Sequence, residues 1–133
     1  MPVFATTQKS LDEAVTTLSQ NKVTRTAEVG AVGVFTTAHV INGVYHQSDS
    51  GTPGTRTLPS AADLWAAIPG CTVGTSFRFI VHNADGADTL TVAVPASITA
   101  YGTLTVAAGK NREFVVVFTS STAAVMYALA ALA

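Results

Sequence analysis

At 133 residues the chain is one domain's worth and can bury roughly two-thirds of the surface its unfolded form exposes, so it needs no covalent staple to fold. Charged residues make up only 11%, against roughly 25% in a typical soluble domain, while apolar residues reach 48%, which points to a surface spent largely against other protein. A net charge of −1 with seven scattered Lys and Arg argues against nucleic acid as a partner, the single cysteine excludes an intramolecular disulfide, and no apolar run reaches the roughly twenty residues of a membrane span.

In chain order, residues 1–26 differ in composition from the rest of the chain and read as an N-terminal arm. Leu11, Ala14, Val15 and Leu18 sit at helical spacing behind a candidate cap at Ser10, yet Val15, Thr16 and Thr17 are β-branched. A short amphipathic helix and an extended segment that orders on a partner both fit that pattern. No charged-then-apolar leader pattern opens the chain. From Ala27 to Tyr45 the composition turns apolar and β-branched, which predicts strands at about 33–37 and 39–46. Residues 47–54, rich in Ser, Gly, Pro and Asp, predict a surface loop.

A helix is predicted over about 60–68: Ser60 can cap the first turn, Asp63 favours its positive end, and Pro69-Gly70 stops it. Leu64 and Ile68, with Leu58 or Trp65, would form its apolar face. Residues 75–94 then read as a β-hairpin, because Phe77, Phe79 and Val81 alternate with Ser76, Arg78, Ile80 and His82, Asp85-Gly86 supplies a reversal, and 89–94 alternates back. The return strand Thr89-Leu90-Thr91-Val92-Ala93 recurs letter for letter at 103–107, extending the hairpin into a meander. An irregular crossing at 95–102, a turn at 107–111, and strands at 112–119 and 123–129 complete the chain. The expected fold is all-β, a β-sandwich or barrel-like single domain over 27–133 carrying one short α-helix and the arm.

Chemistry-bearing residues are sparse. His39, His46 and His82 fall on three different predicted elements, with no Ser, Cys or Asp in a nucleophile motif beside them. Pairs such as His46 with Asp49, or His82 with Asp85 or Asp88, lack a third metal ligand, and 85–88 lacks the alternating oxygens of a calcium loop. Gly102 and Gly109-Lys110 do not make a phosphate loop, Cys71 reads as a small half-buried residue, and Trp65 and Tyr101 read as core or interface aromatics. The expectation is no catalytic residue, no cofactor and no metal.

Residues 57–118 carry a resemblance. The order Thr57 to Leu64, Ile68-Pro69-Gly70, Val73 to Phe79, Asn83, Thr89 to Val92 and Gly102 to Val106 resembles a module of tailed-bacteriophage virion proteins, in particular a capsid decoration (cement) protein. The same kind of module is found in phage tail-fibre and spike chains. The resemblance implies a non-enzymatic β domain on the outer surface of the assembled head, made in the host cytoplasm, often trimeric, with the major capsid protein as partner. Val3, Phe4, Lys22 and Arg25 of the arm are then the expected capsid contacts. A tail-fibre or baseplate module is the alternative, although the chain has no coiled-coil heptads or β-helix repeats to form a shaft. A carbohydrate-binding β module is another, and it would need exposed aromatics around Trp65 or Tyr101.

Overall fold

Alternation of period two places Phe77, Phe79, Val81 and Asn83 on the buried side of one strand, and Phe114, Val116 and Phe118 on the buried side of another. The computed structural model describes residues 23–28, 32–48 and 54–130. Among them run ten strands: β1 (Thr24–Glu28), β2 (Val32–Val34), β3 (Gly43–Gln47), β4 (Gly54–Thr57), β5 (Ser76–Asn83), β6 (Leu90–Ala93), β7 (Ile98–Tyr101), β8 (Thr105–Val106), β9 (Asn111–Ser120) and β10 (Ala123–Ala128). Two short helices, α1 (Thr37–Val40) and α2 (Ala61–Ala67), join them.

The strands form a six-stranded sheet in the order β1-β3-β5-β9-β10-β7 and a four-stranded sheet in the order β2-β4-β6-β8. One apolar core holds side chains from both, among them Phe79 and Phe114 from the larger sheet and Leu90, Val92 and Val106 from the smaller. The expected sandwich-like, all-β architecture is therefore present, with a second short helix beyond the one expected.

The connectivity is not the expected one. From β1 to β9 the chain changes sheet at every step. Neighbours β1, β3 and β5 run parallel, as do β2, β4 and β6. Parallel neighbours need a crossover between them, and each crossover here carries a strand of the opposite sheet together with α1 or α2. The first six strands are thus wound as a coil, although no sequence repeat announces it. Antiparallel pairing of β9 with both β5 and β10, and of β8 with β6, ends the winding.

The hairpin predicted over 75–94 is accordingly overturned. Strand β5 pairs with β3 and β9, whereas β6 lies in the other sheet between β4 and β8. The residues between them form an arch, and Gly86 does not adopt positive φ. A polar network sets the arch. The Asn83 side-chain amide donates to the carbonyls of Asp88 (2.8 Å) and Val106 (3.0 Å), and Asn83 Oδ1 accepts from Asp85 N–H (3.1 Å). Asp85 Oδ1 in turn accepts from the N–H groups of Ala87 (2.8 Å) and Asp88 (2.9 Å). Both side chains are buried, and a buried polar group is held where its partners are. The repeated segments do meet, with Leu90 opposite Val106 and Thr91 opposite Thr105, but β7 between them crosses to the larger sheet beside β10, so there is no meander.

Two further elements differ from expectation. The strand expected over 39–46 begins as α1, where Thr36 N–H donates to His39 Nδ1 (3.1 Å) and Val40 is buried. Asn42 at φ 51° then reverses the chain, and Gly43 packs so tightly that a Cβ there would lie 2.1 Å from the His39 carbonyl oxygen. Strand β4 falls at the end of the expected loop. Its Arg56 is buried with the guanidinium 5.2 Å from the centre of the Tyr45 ring, an interior cation that hydrophobic patterning does not anticipate. Helix α2 conforms: Asp63 N–H donates to Ser60 Oγ (3.2 Å), and Ala61 and Leu64 are buried. Trp65 packs edge-on against Phe118 at 5.4 Å.

Candidate functional site

Side chains opposite the core in β1, β3, β5, β9, β10 and β7 form the outer face of the larger sheet, and strand register orders them into rows. One row holds Ser76, Val117, Val125 and Thr99, and the next holds Arg78, Val115, Tyr127 and Tyr101. A third runs Arg25, Val44, Ile80 and Glu113, and a fourth Ala27, His46, His82 and Asn111. The face is mixed, with its aliphatic and tyrosine side chains concentrated on β9, β10 and β7. Tyr101 and Tyr127 are 54% and 47% exposed, and their rings stack at 5.6 Å and 20°.

Charge on this face, from Arg25, Arg78 and Glu113, is partly cancelled. Arg78 and Glu113 pair diagonally across β5 and β9 at 3.2 Å. Being exposed on the Arg side, the pair contributes little to stability and serves mainly to orient the two side chains. Around it lies a groove of about 380 Å³ lined by Val23, Val44, Ser76, Ile80, Arg78 and Glu113. Its walls are mixed, with Val23, Val44 and Ile80 beside Ser76 and the ion pair.

A histidine cluster occupies the neighbouring row. His46 and His82 stack at 4.9 Å and 28°, and His82 Nδ1 is hydrogen-bonded to Asn111 Oδ1. Partial burial first, then the neighbouring His82 and Arg25, lowers the His46 pKa below the ordinary 6.5. The pairs suggested by proximity in sequence do not form this cluster. Asp85 is engaged in the arch, Asp49 lies outside the described residues, and His39 belongs to α1, with its ring against Phe35 and Tyr45. Parallel pairing of β3 with β5 brings His46 beside His82, and nothing in the local sequence signals that pairing.

Of the expected capsid contacts, Val3, Phe4 and Lys22 lie outside the described residues. Arg25 is exposed and sits in β1 opposite Val44, so the sheet starts ahead of the expected arm boundary at 26. Trp65 packs on the core, which leaves Tyr101 and Tyr127 as the exposed aromatic pair. Cys71 is half-buried and free. Among the described residues no group of three or more His, Cys, Asp or Glu side chains gathers as a metal centre, and no helix is long and apolar enough to cross a membrane.

Compared with known proteins, the chain matches no protein-family model and no curated protein. The outer face is therefore read from its own chemistry.

Proposed function

We propose that the chain is a non-enzymatic virion structural protein. It binds the outer surface of an assembled phage capsid as a homo-oligomer, through the major capsid protein, and stabilises the shell by bridging capsomers. The observation that carries this reading is the outer face of the larger sheet, where Val115, Val117, Val125, Tyr127 and Tyr101 lie in adjacent rows, on a chain whose charged residues total 11%. A broad, open face of this kind suits a protein partner better than a small substrate. The resemblance over 57–118 supplies the virion context. A protein that binds assembled shell and not free subunit adds its binding free energy to shell stability, and many copies add avidity.

The test is averaged electron-microscopy density on native particles, combined with shell co-sedimentation of a Val115→Lys/Tyr127→Lys variant. Density on the head and loss of co-sedimentation at an unchanged melting temperature are expected. Full co-sedimentation of the variant would remove the outer face from the interface, and density confined to the tail would overturn the head placement.

The coiled winding of β1 to β6 favours a second reading, a tail-fibre or baseplate module, because parallel strands stacked in two sheets are also the geometry of fibrous shafts. Tail-confined density would select it. A carbohydrate-binding role would rest on Tyr101 and Tyr127, and a glycan array negative at high protein concentration would exclude it.

A further inference from the structure

We propose that His46 and His82 form a two-imidazole binding site for a borderline divalent transition-metal ion, with Zn2+ as the representative, on the outer face of the larger sheet. The inference is independent of the virion reading. It starts from register: parallel pairing sets His46 directly beside His82, both pointing away from the core, with their ring centres 4.9 Å apart. An ion bound at about 2.0–2.1 Å from each imidazole nitrogen needs those nitrogens only a few ångströms apart, so the two rings turn out of their stacked arrangement to bring one nitrogen each to the ion.

Hydrogen bonding fits the same role. Asn111 Oδ1 can only accept, so the His82 Nδ1 bonded to it is the donor and Nε2 is the ring nitrogen left to face an ion. A ligating histidine usually has its other ring N–H fixed in this way by an oxygen of a supporting residue. Neutral imidazole selects zinc, nickel and copper over magnesium and calcium, which take oxygen ligands.

Affinity is bounded by the shell. No third His, Cys, Asp or Glu joins the pair among the described residues, and Arg25 raises the local positive potential. Water completes the coordination, so the site is weaker than a four-ligand structural zinc centre.

The decisive experiment is a Zn2+ titration of the metal-free full-length protein, followed by calorimetry and by the imidazole proton NMR resonances. One ion per chain is expected, shifting the His46 and His82 resonances together and leaving those of His39 in place. His46→Gln and His82→Gln should each abolish the heat with an unchanged circular dichroism spectrum, and Asn111→Leu should weaken binding by about tenfold. The proposal fails if neither resonance moves at millimolar Zn2+, if His39 shifts equally, or if the double glutamine variant binds as the parent does. Because the resonances are read in the parent protein, the result does not depend on the variants folding.

Discussion

Asn83 is the residue on which the change of sheet depends. Its amide holds two carbonyls of the arch and of β8, and its oxygen holds the Asp85 N–H, all away from water. Asn83→Ala should therefore destabilise the protein by about 1–3 kcal/mol for the groups left unpaired, measured by urea unfolding. His46 gives a pH dependence whose sign follows from its lowered pKa. Between the ordinary 6.5 and the folded-state value, the unfolded chain holds the proton more readily than the folded one, so stability is present above 6.5 and declines as pH falls through that window. Thermal melts in chelator-containing buffer should show this decline, and His46→Gln should flatten it. The residue types are legible in the sequence, but the company they keep is not: proximity in sequence suggests His82 with Asp85, whereas strand alternation turns His82 outward and Asn83 inward.

At the scale of elements, signals confined to a few residues suffice. Ser60, Asp63 and Pro69 place α2, and the apolar stretches at 112–119 and 123–129 place β9 and β10, although the run at 112–119 suggests burial on both faces and only Phe114, Val116 and Phe118 of one face are buried. Leu64→Ala should cost about 2–5 kcal/mol, seen as a lowered melting temperature, because α2 is too short to persist without its buried face. Expectation and structure part where an element depends on distant partners. β4 is held by parallel pairing with β2 and β6, and it carries an interior Arg56 that resembles loop composition. β7, expected as an irregular crossing, is a strand because β10 pairs with it. The Asp85-Gly86 turn signal is real as a reversal of chain direction, but a reversal within one sheet and an arch between two use the same residue types.

For the whole molecule, truncation of the N-terminal segment and substitution on the outer face test different parts of the proposed interface. Removing residues 1–22, which stops short of β1, should leave the melting temperature close to that of the parent and abolish shell co-sedimentation. Undiminished binding by the truncated chain would assign the interface to the sheet face alone. Sedimentation of the free protein checks the trimer that the resemblance implies. By itself the sequence determined that this is a charge-poor β domain with one well-capped helix, because side-chain alternation and capping act over a few residues and are written locally. Only the tertiary structure decided which strands are neighbours, that the chain winds between two sheets, and that His46 meets His82 on the outer face of the larger sheet. Parallel pairing joins segments far apart in sequence, and the backbone hydrogen bonds that make it carry no residue-specific signature.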